Sequence, residues 1–232
     1  MAIQMKKKNI ADDTVEVWDL PLRLFHWLLV VLVTSAIVTA NLPLEYMDYH
    51  LCIGYGILTL LIFRLIWGII GSDYAKFGSF IYSPTTVFSY AKALFSSGER
   101  RYVGHNPMGS LMVFMMLLLL LAQAVSGLFS SDDIFTEGPL ATSVSGSISG
   151  WFTSVHHTNI IVLISAIVLH ICASIGYWFF KKENLVAPMI HGKKEKEGAE
   201  DIIQHAQSKP IWLAAIALLF SAFVVLYIVG SG

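Results

Sequence analysis

Charged residues are scarce in this sequence. Only 13% of the 232 residues are Asp, Glu, Lys or Arg, whereas 56% are hydrophobic. A soluble domain of this length needs more polar surface, so the composition argues against one soluble domain and indicates an integral membrane helical bundle. Five apolar stretches are long enough to span a bilayer as helices: residues 21–41, 50–70, 107–129, 156–180 and 210–229.

Cysteine is also scarce. Cys52 lies near the outer end of the second stretch and Cys172 near the inner end of the fourth, too far apart for a disulfide bond. The sequence contains no C-x-x-C-H motif, which excludes a covalently attached c-type haem. It also lacks a Walker or Rossmann glycine pattern in the required strand-to-helix context.

Basic residues are missing from two of the four predicted loops. Loops 42–49 and 130–155 contain no Lys or Arg but carry five acidic residues: Glu45, Asp48, Asp132, Asp133 and Glu137. All fifteen Lys and Arg, including Lys6, Lys7, Lys8 and Arg100, fall on the other side of the implied topology. The positive-inside rule therefore predicts a cytoplasmic N-terminus and a C-terminus on the outer side.

A signal peptide is the competing interpretation of the first stretch. Val38-Thr39-Ala40 resembles a small-residue cleavage site. The preceding segment is long and acidic, however, and the apolar stretch is long for a signal peptide. We therefore expect this stretch to be a retained membrane span.

Histidines inside the apolar stretches are the main candidate functional residues. His156 and His170 are fourteen positions apart, which is ~21 Å along a helix and about 40° short of four full turns, so they share one face. His50 and His156 lie toward the outer ends of their spans, whereas His26 and His170 lie toward the inner side. Two pairs at two depths fit two stacked cofactors, because neutral imidazoles commonly ligate both faces of haem iron.

Several of these residues can also be interpreted without a role in cofactor binding. His26 and His50 could each be an interfacial histidine in contact with water. Arg64 could pair with a haem propionate or extend to the lipid headgroups. His105, just before the third span, could contact a propionate or a quinone, or be interfacial. The pairing by depth favours the ligand interpretation for the four histidines within the spans.

Four groups of motifs in the sequence carry a family resemblance. They are Val17-Trp18-Asp19-Leu20-Pro21 with Arg23-Leu24-Phe25-His26-Trp27, His50-x-x-x-Gly54 with Arg64-Leu65-x-Trp67-Gly68, Gly104-His105-Asn106-Pro107 with Gly109, and His156 and His170 with Asn184-Leu185, Met189 and Gly192. Over about residues 15–195 they resemble the bacterial cytochrome b561 family and the related b-type cytochromes of nickel-iron hydrogenases.

The resemblance implies a dihaem electron carrier in the bacterial inner membrane. It implies two haem b groups, one held by His26 and His170 on the inner side and one by His50 and His156 on the outer side. The family often has Glu at the position of His157, which leaves an exchange of ligand between His156 and His157 open; the helical register favours His156. The fifth span is absent from the shortest members.

The expected organisation has four parts. Residues 1–20 form a cytoplasmic N-terminal segment, and residues 21–190 form a four-helix dihaem core with a cytoplasmic loop at 72–106. Residues 191–209 form a charged, solvated linker, and residues 210–232 contain a fifth transmembrane helix. Within the loop, Ser83-Pro84 predicts the capped start of a surface helix.

Three functions fit these features. The first is electron transfer between membrane quinol or quinone and a periplasmic partner, a c-type cytochrome, because an acidic outer face attracts a basic protein. The second is superoxide oxidation coupled to quinone reduction, although an acidic surface repels an anion. The third is a membrane anchor that accepts electrons from a hydrogenase-type dehydrogenase. The quinone is expected on the inner side, near Arg23, Arg64, Trp67, His105 and Asn106.

The remaining expectations concern partners. We expect membrane lipid around the spans and no nucleic-acid partner. The sequence does not decide whether the protein forms a homo-oligomer.

Overall fold

The computed structural model describes residues 14–94, 101–132, 134–196 and 198–231, and it is a bundle of helices. In chain order the helices are α1 (Leu20–Thr39), α2 (Met47–Ile70), α3 (Pro84–Ala93), α4 (Pro107–Phe129), α5 (Gly146–Gly176, continued by a π-helical turn at Tyr177–Lys181), α6 (Val186–His191) and α7 (Ile211–Gly230). Strand β1 (Thr14–Glu16) pairs with β2 (Lys193–Glu195) as an antiparallel ribbon.

Five of these helices, α1, α2, α4, α5 and α7, are long and apolar enough to cross a membrane. The predicted all-α membrane bundle with a fifth helix near the C-terminus is therefore confirmed. The ends at which the spans meet the basic loops and the acidic loops are called here the inner end and the outer end.

The inner-end helix starts follow from capping residues in the sequence. The Asp19 carboxylate accepts a hydrogen bond from the backbone N–H of Leu22 at 2.9 Å, ahead of Pro21 in the first turn of α1. Asn106 caps α4 in the same way, and Ser83 caps α3. The predicted surface helix after Ser83 is thus confirmed.

Helix α2 is the centre of the bundle and packs against α1, α4 and α7. Leu61 of α2 meets Leu120 of α4 and Leu163 of α5 in one buried cluster. Small side chains allow α7 to approach closely, and its buried residues are Ala214, Ala217, Ser221 and Val225. Such packing holds helices together in lipid, where apolar burial alone does not distinguish protein from solvent.

Helix α5 begins ten residues earlier than predicted, at Gly146 rather than at His156. The Gly- and Ser-rich composition of the stretch before His156 predicts a loop, but tertiary contacts stabilise it as a helix. The buried Ser149 hydroxyl donates to the Phe129 carbonyl oxygen at 2.9 Å, and Phe152 stacks on Phe129 with ring centroids 4.7 Å apart. His156 therefore lies ~15 Å inside this helix and not at its outer end.

The predicted solvated linker is bound to the inner end of the bundle. Its strand β2 pairs with β1, and the Gly192 carbonyl oxygen accepts hydrogen bonds from the backbone N–H groups of Val17 and Trp18 at 2.8 and 3.1 Å. Gly192 has φ +86°, and a Cβ there would lie 2.7 Å from the Trp18 carbonyl oxygen. This position therefore requires glycine. His191 and His205 of this region are exposed.

Some sequence-based predictions fall outside the described residues. These are the basic residues Lys6, Lys7, Lys8 and Arg100, the acidic Asp133, and the corresponding parts of the predicted N-terminal segment and of loop 72–106.

Candidate functional site: two histidine pairs at two depths

The outer pair joins α2 to α5. The ring centroids of His50 and His156 are 6.4 Å apart, with the rings nearly perpendicular. His156 is partly buried, whereas His157, the next residue on α5, is exposed. The fold thus brings together the two outer residues that the depth argument paired, and it turns His157 away from the interior.

Backbone carbonyls fix the protonation of both outer imidazoles. His50 Nδ1 is 2.9 Å from the Ala36 carbonyl oxygen, and His156 Nδ1 is 3.0 Å from the Gln123 carbonyl oxygen. A carbonyl oxygen only accepts hydrogen bonds, so each Nδ1 carries the proton and each Nε2 keeps a free lone pair. Histidines that bind metal are commonly oriented by this kind of hydrogen bond.

A polar network between α4 and α5 supports His156, and the sequence analysis missed it. The Gln123 amide donates to the His156 carbonyl oxygen at 3.1 Å, and the Asn159 amide donates to Gln123 Oε1 at 2.8 Å. The Ser126 hydroxyl also lies 3.3 Å from His156 Nδ1. Gln123 lies in a Met- and Leu-rich run whose sequence indicates only a packing surface. A polar but uncharged side chain inside a span could have indicated this network.

Gly127 of α4 leaves the space that the His156 ring occupies. A Cβ at this position would lie 3.1 Å from His156 Cε1 and 3.3 Å from its Nδ1. We expect Gly127→Ala to shift the ring and to weaken cofactor binding at the outer pair, seen as a loss of one haem component in the visible spectrum. Gly150→Ala on α5, where a Cβ has nothing within 4 Å, is the matched control and should leave the spectrum unchanged.

The inner pair joins α1 to α5. His26 and His170 are both partly buried and lie close enough to interact electrostatically. His26 Nδ1 is buried without a hydrogen-bond partner among the described residues. This pair therefore offers ligating nitrogens in the apolar interior, at the opposite end of α5 from His156.

Arg64 of α2 is a buried cation at the inner end, where it interacts electrostatically with Asp19 and His105. Only 2% of Arg64 is exposed, its guanidinium carbon lies 4.5 Å from the centroid of the Phe77 ring, and one guanidinium nitrogen has no partner in the described part of the chain. Gly68 permits this arrangement because a Cβ there would overlap the Phe77 ring. Arg64 is thus held by the fold and does not extend to headgroups.

His105 is enclosed at the inner end. Its ring lies between Trp18 and Phe80, with centroid distances of 4.6 and 4.4 Å, and its Nδ1 has no partner in the described residues. Burial, and then the positive charge of Arg64, lowers the pKa of His105 to about 3, so the imidazole is neutral near pH 7. The interfacial interpretation of His105 does not fit this enclosure.

Two other residues expected near the quinone are already engaged. Arg23 donates to the carbonyl oxygens of Trp18 and Ile190, and so holds the linker to α1. Asn106 caps α4 and also donates to the Tyr177 hydroxyl at 3.1 Å. Among the described residues, the buried side-chain groups without a hydrogen-bond partner at this end are therefore those of His26, Arg64 and His105.

Asp201 of the linker holds the segment that carries His105. Its carboxylate accepts hydrogen bonds from the backbone N–H groups of Val103 and Gly104, the latter at 2.7 Å. We expect Asp201→Ala to lower the free energy of unfolding by about 3 kcal/mol, because two hydrogen bonds to a charged group are lost and each is worth ~1.5–3 kcal/mol. Thermal unfolding in detergent would measure this. The exposed Glu195→Gln is the control, and equal stability of both variants would contradict the assignment.

The donor set fits haem. The outer pair presents two imidazoles whose Nδ1 atoms are bound to carbonyls, and at the inner end Arg64 has a buried guanidinium nitrogen without a described partner, which suits a propionate. Such histidines in the interior of a membrane helical bundle fit a membrane-bound b-type cytochrome, a haem-containing electron-transfer protein.

Comparison with known proteins narrows the class. A model of the prokaryotic cytochrome b561 family matches residues 17–192, so the chain belongs to that family. Its relatives include proteins named probable Ni/Fe-hydrogenase B-type cytochrome subunit. The one from Rhizobium leguminosarum bv. viciae is 24% identical over 84% of this chain and 95% of its own length. The one from Bradyrhizobium diazoefficiens is 20% identical over 82% and 89%, respectively.

Proposed function

We propose that the chain is a dihaem conduit that exchanges electrons between membrane quinone at its inner end and a redox protein at its outer end. The observation that carries this proposal is the presence of two histidine pairs, one at each end of the apolar part of α5. His156 of the outer pair and His170 of the inner pair are ~21 Å apart along the helix. Two cofactors at these depths would divide the membrane into short electron-transfer steps.

Haem b, when bound, supplies reversible one-electron exchange at its iron. His50 and His156 would be the axial ligands of the outer haem, and His26 and His170 those of the inner haem. The Ala36 and Gln123 carbonyls accept from the Nδ1–H groups and orient the outer imidazoles, which would leave each Nε2 to hold the haem. Arg64 would bind a propionate or offset charge at the inner haem.

The quinone site is proposed at the inner end, beside Arg64 and His105. A quinone carbonyl needs a hydrogen-bond donor and a quinol hydroxyl needs an acceptor. A neutral imidazole offers one of each, and the low pKa of His105 keeps it neutral. With the N-terminus in the cytoplasm of a bacterium and the chain in its inner membrane, protons would exchange on the cytoplasmic side.

The outer partner is proposed to be a basic redox protein of the c-type cytochrome class. Glu45, Asp48, Asp132 and Glu137 lie at the outer end, which has no Lys or Arg among the described residues. An acidic surface accelerates association with a basic protein and slows the approach of superoxide, an anion. A second candidate partner is a hydrogenase-type dehydrogenase subunit, which the names of the relatives favour.

The test is a haem-reduction time course on the oxidised protein in liposomes. Duroquinol should reduce the haem, and a basic c-type cytochrome should then reoxidise it, more slowly as salt is raised. His105→Ala should slow reduction by duroquinol while reduction by dithionite stays complete. Reduction by a pulse of superoxide, with none by duroquinol, would overturn the proposal in favour of superoxide oxidation. Reoxidation that is independent of salt would count against the acidic docking face.

A further inference from the structure

A polar cavity opens at the inner end of the bundle. Its volume is about 80 Å³, enough for more than one water molecule. The segment before α1, the loop after α2 and the linker before α7 form its walls. Its polar lining residues are Glu16, Asp19, Ser72, Asp73, Gln207 and Ser208. Such a cavity can hold hydrogen-bonded water next to the proposed quinone site.

Asp19 connects this cavity to the interior. It is 4% exposed and is the only buried carboxylate in the described part of the chain. One carboxylate oxygen accepts from the Leu22 backbone and the other from Trp67 Nε1, both at 2.9 Å. Asp19 also interacts electrostatically with Arg64. Asp19 therefore lines the cavity and also interacts with Arg64 in the interior.

A second contact leads from the same region to His105. Trp18, the neighbour of Asp19 in the chain, lies with its ring centroid 4.6 Å from that of His105. Asp19 thus interacts with Arg64 directly, whereas its chain neighbour Trp18 contacts His105. None of the other acidic residues that line the cavity is buried.

We infer that Asp19 and this cavity form the proton route between cytoplasmic water and the inner quinone site, an inference that rests on the proposed quinone chemistry. Reduction of one quinone to quinol consumes two electrons and two protons. The electrons come from the outer redox partner through the two haems, and the protons come from the cavity. The Asp19 carboxylate takes one proton from cavity water and passes it inward, once for each electron. Quinol oxidation runs the same transfers in reverse.

Asp19 also caps α1, so the test must separate capping from proton transfer. Asp19→Asn and Asp19→Ser both keep a good N-cap residue but remove the carboxyl group. Asp19→Glu keeps a carboxyl group but is a poor cap. Glu195→Gln is the control, because this exposed carboxylate of β2 also lies at the inner end but does not line the cavity.

The measurement is haem reduction by duroquinol in proteoliposomes, with a pH-sensitive dye to follow proton release. Asp19→Asn and Asp19→Ser should slow reduction and proton release together, by at least about tenfold. Haem content and the dithionite-reduced spectrum should not change. Asp19→Glu and Glu195→Gln should stay close to the wild-type rate. Infrared redox-difference spectra should contain a carboxyl band in the wild type that Asp19→Asn removes.

The outcomes are distinguishable. If duroquinol reduces the wild type and the Asn and Ser variants equally fast, the proton route is wrong while the proposed function stands. If the Glu variant is as slow as the Asn and Ser variants, packing around Asp19 and not its carboxyl group controls the rate, and the inference is again wrong. If duroquinol does not reduce the wild type at all, the proposed function fails together with this inference.

Discussion

Replacement of His156 by alanine is expected to reduce the haem content of the purified protein from two haem b per chain to one. The physical reason is that one of the two imidazoles proposed to hold the outer haem is lost, and the neighbouring His157 does not face the interior. His157 is on the exposed side of α5, whereas His156 lies 6.4 Å from His50 between ring centroids. Pyridine haemochrome assay against protein concentration measures the stoichiometry.

His157→Ala is the matched control for this prediction, since it removes a neighbouring imidazole from the same helix. It should retain both haems. His26→Ala should also lose one haem, but from the inner pair, so the component that remains should differ in midpoint potential from the one left by His156→Ala. Two haems in the His156 variant, or one in the His157 variant, would show that the ligands are assigned wrongly.

Arg64→Gln is expected to lower the midpoint potential of the inner haem by about 60 mV. A buried positive charge favours reduced iron, which carries one positive charge fewer. An effective interaction of ~1.4 kcal/mol, ordinary for a charge in a partly buried site, equals ~59 mV for one electron. Arg64 is 2% exposed, so water screens this interaction poorly. A spectroscopic redox titration measures both potentials in one experiment.

Arg64→Lys is the conservative variant, because it keeps the charge but loses the planar guanidinium that lies over the Phe77 ring. Its potential should lie between those of the wild type and the Gln variant. The outer haem serves as an internal reference and should keep its potential in both variants. An unchanged midpoint potential of the inner haem, or a shift confined to the outer haem, would show that Arg64 does not contact the inner haem.

The membrane spans and the proximity of His50 and His156 could be predicted from the sequence. A helix of fixed pitch converts the spacing of His156 and His170 into a shared face, and charge asymmetry orders the loops. The structure has all five predicted spans and brings His50 and His156 together. These features depend on local periodicity and composition, and a single sequence contains both.

The features that were missed depend on contacts between distant residues. Asp201 bonds to a segment 98 positions earlier in the chain, so nothing local in the linker indicates that it is bound. The first three turns of α5 are helical because Ser149 and Phe152 contact the end of α4. The Gln123 and Asn159 network likewise needs two helices in register. Propensity and pattern carry no information about such partners.

The most direct test of the dihaem account is a redox titration of the wild-type protein in the visible α band, combined with a haem count and electron paramagnetic resonance of the oxidised form. The account predicts two haem b per chain, two one-electron transitions, and low-spin ferric signals from two bis-histidine sites. One haem per chain, or a high-spin signal from an open coordination position, would contradict it.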